Sequence, residues 1–215
     1  MTNSIFSPKP GSKRIDRQIA REARNSAYEL DLELSSVEKV CREGCDHCCY
    51  QTTWVNSWEA EEISRYVIEK MSDDTKSIVK NQMENWHKWF DSVSRKSTRE
   101  SPLTFYEVRQ LDISAAENHI PCPYLIDNKC SIYKARPFMC RTHIVKKSPE
   151  QCREEPLRDS EINRSELIKK YIYERYDKKK RPIVFKPLPY IMIEGIEVEC
   201  EKRPMLGFII GGEDK

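Results

Sequence analysis

The sequence predicts a mainly helical domain of the α+β class, organised around cysteine-rich loops and finished by a short C-terminal β-hairpin. Three observations lead there. Apolar residues recur at steps of three and four through the first half, prolines and cysteines punctuate residues 121–140, and apolar residues alternate near the end. A chain of 215 residues is enough for one core of ordinary size, so a single domain is expected over residues 14–215. Residues 1–13, with Pro8, Pro10 and Gly11, read as a flexible leader.

The elements follow in order. Ile15, Ile19, Ala23, Ala27, Leu30, Leu34 and Val37 fall on one helical face, predicting a helix or a broken pair up to Cys41. Ser35 with Glu38 has the spacing of a capping box that would restart a helix. Ser57 reads as the N-cap of a helix through Met71, with Ile63 and Val67 inward. The Ser72-Asp73-Asp74 turn opens a third helix whose stripe is Val79, Met83, Trp86, Phe90 and Val93. Trp86 and Trp89 are expected to pack in the core and at its rim, not to hold a ligand. Residues 96–120 are ambiguous between strand and helix. A polar helix is expected near Ser160–Tyr176, and the run Lys178–Arg181 reads as a solvated turn. Ile191, Ile193, Ile196, Val198 and Cys200 read as two short strands about Glu194-Gly195.

Composition narrows the function. The chain is 38% hydrophobic and 33% charged with a net charge of +2, so no global field would draw it to nucleic acid or an anionic membrane. Nothing approaches 18 consecutive apolar residues, and the first residues have no apolar run of the signal-peptide kind. A cytoplasmic setting is expected, with an unidentified protein or small molecule as partner. There is no P-loop, no dinucleotide-binding fingerprint and no Ser/His/Asp arrangement.

The cysteines carry the chemistry. A reducing compartment keeps thiols free, so nine cysteines in short spacings point to metal binding. One block is Cys41, Cys45, Cys48 and Cys49; the other is Cys122, Cys130, Cys140 and Cys152. Cysteines three or four apart on a tight turn present their sulfurs to one side, as soft-metal ligation requires. Gly44 before Cys45 suits a turn with positive φ. Adjacent Cys48 and Cys49 are expected to point in different directions, so that one of them faces a given metal. Cys200, isolated at strand spacing, reads as a small core residue. His143 is the better histidine for a role beside the centre, ahead of His47, while His87 and His119 need no functional reading.

Four thiolates would close a Zn²⁺ site, and four also hold a [4Fe–4S] cluster; spacing alone leaves the two open. A thiolate-ligated cluster is anionic, so Arg136 and Arg141 are candidate cofactor-binding residues, with Arg42 also near in sequence. Pro121 and Pro123 would hold Cys122 in extended chain, Asp127-Asn128 would turn the chain back to Cys130, and Ile132, Tyr133 and Phe138 would wall off the centre. Arg136-Pro137 would end a short helix and aim Cys140 inward.

Two motif blocks carry a resemblance. Cys41-x3-Cys45-x2-Cys48-Cys49 is followed by Pro121-Cys122-Pro123-Tyr124-Leu125, and then by a run from Cys130 through Ile132-Tyr133 and Arg136-Pro137 to Cys140-Arg141. Together they resemble the YkgJ-type cysteine-cluster family, described as zinc- or iron-chelating, over residues 41–141. The first gap here is three residues where that family has two, which touches the assignment of Cys41. The flagellin lysine N-methylases resemble the same cysteine region and are thought to hold a [4Fe–4S] cluster, so the resemblance implies iron–sulfur over zinc. No S-adenosylmethionine site is recognisable, so methyl transfer is not carried over.

The expected function is therefore a [4Fe–4S] protein for electron transfer or a redox-dependent modification reaction. The alternative is a binding module stapled by Zn²⁺. For one cluster the expected ligands are Cys41, Cys45, one of Cys48 and Cys49, and one of Cys122, Cys130 and Cys140; two sites would employ all eight cysteines through Cys152.

Overall fold

The computed structural model describes residues 16–93, 104–150, 152, 162–176, 183–190, 196 and 208–210. The leader, the Lys178–Arg181 run, Cys200 and, apart from Ile196, the expected 191–200 hairpin lie outside the described residues.

Helix α1 (Arg17–Glu33) starts where the Asp16 carboxylate accepts the Gln18 and Ile19 N–H groups at 3.0 Å each. It buries Ala20, Ala23 and Leu30, with Leu34 just beyond. The expected restart at Ser35 does not occur. The Ser35 and Ser36 hydroxyls instead donate back to the Leu32 and Glu33 carbonyls, closing a 3-10 turn after which Val37 is extended.

Strand β1 (Trp54–Asn56) runs straight into helix α2 (Ser57–Lys70). The cap is Asn56, one residue earlier than expected. Its side-chain oxygen accepts from Trp58 and Glu59 N–H, while the Glu59 carboxylate accepts the Asn56 N–H, a reciprocal capping box. Ile63 and Val67 are fully buried, as the stripe predicts. Helix α3 (Asp73–Val93) buries Val79, Met83, Trp86 and Phe90, but Val93, at its last residue, is 39% exposed. The Trp86 ring stacks on Phe90 at 5.1 Å and meets the Trp89 edge at 5.3 Å, so both tryptophans pack as expected.

The ambiguous stretch holds helix α4 (Phe105–Glu117), capped by a second reciprocal box between Thr104 and Glu107. Strands β2 (Leu125–Ile126) and β3 (Lys129–Cys130) form an antiparallel hairpin. Its two-residue loop is Asp127-Asn128, with φ of 48° and 58°, the conformation a right-twisted hairpin needs and Asn and Asp tolerate. Helix α5 (Phe138–Arg141) follows the 3-10 turn Tyr133–Ala135, from which Arg136-Pro137 separates it. Helix α6 begins as Arg164–Ile168, widens into a π turn at Lys169–Tyr173 and closes with Glu174–Tyr176.

The fold is thus mainly α with small antiparallel β elements. Its second sheet joins β1 to strands β4 (Ile183–Pro187) and β5 (Phe208–Ile210) in the order β1-β4-β5. Trp54 pairs with Pro187 and Asn56 with Phe185, so the end of the chain fastens the segment just after the first cysteine block. One apolar cluster gathers Ile63, Val67, Val79, Met83, Tyr124 and Ile132; another gathers Leu30, Trp54, Phe138, Ile144 and Phe185. Cys122 and Cys130 pack against the first of these clusters. Among the described residues no helix is long and apolar enough to cross a membrane.

Candidate metal centre

Local backbone geometry sets the thiols. Gly44 has φ of 89°, and the Cys45 N–H closes the turn on the Arg42 carbonyl at 3.1 Å. The following 3-10 turn, His47–Tyr50, carries Cys48 and Cys49. Two backbone bonds tie the blocks together, Cys122 N–H to the Cys49 carbonyl at 2.7 Å and, just before Cys41, Val40 N–H to the Val145 carbonyl at 3.0 Å. The β2–β3 hairpin brings Cys130 opposite Leu125, and α5 carries Cys140. Thr53 touches both later cysteines, with its hydroxyl 3.9 Å from Cys140 Sγ and hydrogen-bonded to the Cys122 thiol.

Electrostatics shows which thiols face one another. Burial pushes the Cys140 thiol well above its ordinary value, and Cys48, Cys122 and Cys130 add to the rise. Burial also pushes Cys122 up to about 12, helped by Cys130 and Cys48. Cys130 rises with burial and Cys48, against the pull of the Ile132 N–H and Arg136. Cys48 and Cys49 do not diverge as expected. Their thiols are hydrogen-bonded to each other, which lowers Cys48 and raises Cys49, and both interact with Cys122 and Cys140. The cause is the 3-10 turn, where neighbours are rotated by roughly 120° rather than placed on opposite faces. Cys48 is the hub: Cys45, Cys49, Cys122, Cys130 and Cys140 all interact with it.

A second, outer group lies beside this one. Cys45 is raised by burial and then by Cys48 and Cys41. The Cys41 thiol lies 3.7 Å from the His143 carbonyl and 3.9 Å from that of Val145. His143 Nε2 in turn sits 3.7 Å from the Sγ of buried Cys152. His47 rides the 3-10 turn, His119 sits edge-on to Tyr50, and His87 bonds the Pro189 carbonyl at 2.6 Å.

The two arginines differ. Arg141 is 6% exposed; it donates to the Arg136 and Lys134 carbonyls at 2.8 Å each and pairs with Asp31 of α1. Its charge reaches Cys130, but its fork is engaged in tying the 130–141 loop to α1. Arg136 stacks on the Tyr133 ring at 4.1 Å and favours the ionised forms of Cys48 and Cys130. Arg42 is exposed. Asp31, Thr53 and Tyr124 were not singled out in the sequence. Only Tyr124, inside the Pro-Cys-Pro-Tyr-Leu block, stood next to a signal that could have found it.

The donor set suits a soft cation. Buried thiols that raise one another's pKa are mutually repulsive once ionised, and a metal removes that repulsion. The Tyr124 hydroxyl is a second fit. Tyr124 is fully buried, its Oη has no partner among the described residues, and its ionisation is suppressed by burial and by Cys122 and Cys130. An orphaned O–H donor beside thiols is completed by a metal-bound thiolate or sulfide acceptor. Ile132 belongs to the apolar cluster against which Cys122 and Cys130 pack, while Phe138 belongs to the Leu30 cluster and Tyr133 supports Arg136. Among the described residues no three Cys, His, Asp or Glu side chains are drawn up around one point.

The comparisons agree with this chemistry. No curated protein and no solved structure matched the chain. Residues 40–168 match the model of the CxxCxxCC family, described as "Putative zinc- or iron-chelating domain", a span that takes in all eight cysteines described above. With more than half of its length matched, the chain belongs to the CxxCxxCC family of metal-chelating domains.

Proposed function

We propose that residues 14–215 form one cytoplasmic domain whose thiols hold a [4Fe–4S] cluster, serving electron transfer or a redox-dependent modification reaction. The observation that carries this reading is the nearness of the half-buried Cys48, Cys122, Cys130 and Cys140 to one another and of Arg136 to Cys48 and Cys130. It moves the favoured ligands from Cys41 and Cys45, expected from spacing, to these four. A single zinc ion, with Zn–S near 2.3 Å, draws its sulfurs into one tight tetrahedron. A [4Fe–4S] core likewise takes four thiolates, and these four come from separate turns of the chain: a 3-10 turn, the loop before β2, the β2–β3 hairpin and α5. When bound, the cluster would supply one-electron chemistry. The protein's own part is to exclude water with Ile132 and Tyr124, to offer the Tyr124 O–H, and to balance charge with Arg136.

A zinc staple is the second reading, favoured by the outer group. Cys41, Cys45, His143 and Cys152 are of the Cys₃His type that structural zinc uses. The two separate by colour and redox response. Anaerobically purified protein should be brown, absorb broadly near 400 nm and bleach with dithionite; a colourless protein indifferent to dithionite would contradict the cluster.

A further inference from the structure

Behind the 130–141 loop, on the side away from the hub thiols, lies a cavity of about 180 Å³ between α1, α2 and α6. Its walls are apolar where the helices meet: Ala23, Ala27 and Leu30 of α1, Trp58 of α2, Phe138 and Ile172. Small side chains on α1 leave the room. The π turn of α6 presents Tyr171 and Ile172 to it and is held in place by the Ser26 hydroxyl, which donates to the Tyr171 carbonyl at 2.9 Å. Such π turns recur at functional sites because they re-aim side chains.

The charged groups of this cavity are unequal. Arg24 and Asp31 come from α1, Glu59 and Glu62 from α2, and Lys134, Arg136 and Arg141 from the cysteine loop. Asp31 is taken by Arg141, Glu62 by Arg65 at 2.6 Å, and Glu59 accepts the Phe138 and Asn56 N–H groups. Arg136 is different. Its Nε is buried with no hydrogen-bond partner among the described residues, and Asp31 comes no nearer to its guanidinium than 3.8 Å. An unsatisfied buried guanidinium nitrogen beside an apolar hollow is a site lacking an acceptor.

We propose that this cavity binds a small carboxylate with an apolar body, its oxygens on Arg136 and its body among Ala23, Ala27, Leu30 and Ile172. The volume is below the roughly 300–1,000 Å³ of drug-sized pockets, so the ligand is about the size of an amino acid. Because Arg136 also faces Cys48 and Cys130, an occupant lies one side chain away from the thiol compartment. The binding itself does not depend on which metal that compartment holds.

Benzoate tests this, with benzamide as its uncharged near-isostere, each titrated by calorimetry into the full-length protein as purified. Saturable benzoate binding at one site is expected, with benzamide at least about tenfold weaker. Arg136→Gln should weaken benzoate by a similar factor. Ala27→Met, which fills the hollow without altering charge, should abolish binding while metal content and circular dichroism stay as in the parent. Equal binding of benzamide, undiminished binding in Ala27→Met, or no saturation up to about 10 mM benzoate would each overturn the assignment.

Discussion

The aromatic cluster on α3 is buried and the thiol compartment half-buried, and opposite forces act in them. Around Trp86, every contact is attractive: Phe90 stacks on it, the Trp89 and Tyr190 rings meet it edge-on, and Tyr190 anchors its hydroxyl on Asp91 at 3.0 Å. At Cys122 and Cys140, burial and neighbouring thiols each disfavour the thiolate, and the Tyr124 O–H has no acceptor among the described residues. The first region is held by apolar and ring contacts, although Trp89 Nε1 is also buried there without an acceptor among the described residues. The second gathers soft donors whose ionised forms repel one another, within the span that matches the zinc- or iron-chelating family.

The sharpest way to break this contrast is to remove the hub. Cys48→Ser should lower metal retention at least about a hundredfold while the helical circular dichroism persists, checked by metal analysis of protein purified in parallel. Retention at the parent level would make Cys48 a bystander. Phe90→Ala should do the reverse. Losing a fully buried ring stacked on Trp86 should cost about 3–5 kcal/mol in denaturant unfolding, with metal per folded chain unchanged.

A pH series sharpens the comparison further. An unfolded thiol has a pKa of about 8.5, whereas folded, metal-free Cys122 is pushed up to about 12. Between those values the folded chain keeps a proton that the unfolded chain has released. Stability of the metal-free protein should therefore be intact below about pH 8 and fall as pH rises to about 12, by about 1.4 kcal/mol per pH unit for each such thiol. Loaded protein should show the opposite trend at the acid end, where protons compete with metal for thiolate. A metal-free protein whose stability is flat from neutral pH upward would remove the repulsion argument. The smallest effect belongs to Tyr124→Phe. Deleting an orphaned buried hydroxyl should leave metal-free stability equal or higher by about 1 kcal/mol, while altering the absorption bands or potential of the loaded centre.

What was legible in the sequence follows the range of the interactions. The stripes of α2 and α3 could be read because Ile63, Val67, Val79, Met83 and Phe90 repeat within one helix. Helix α4 was left open between strand and helix although Thr104 and Glu107 carry a capping box, because its apolar pattern is weak; of its described side chains Val108, Ala115 and Ala116 are buried. The Asp127-Asn128 turn was legible, being local. The β1–β4 pairing was not: its backbone bonds, such as Leu188 N–H to the Thr53 carbonyl at 2.7 Å, join distant parts of the chain and leave no mark in nearby residues. At the site, spacing marked the cysteines and Gly44. It could not show that Cys48 and Cys49 bond to each other, that Arg141 serves Asp31 from a distant helix, or that alanines on α1 leave a cavity behind Arg136.

The most direct test of the central claim is iron, sulfide and zinc analysis of protein purified anaerobically, run beside Cys48→Ser. The account predicts about four iron and four sulfide per chain in the parent and loss of both in the variant. Zinc without sulfide in the parent, unchanged in the variant, would contradict it.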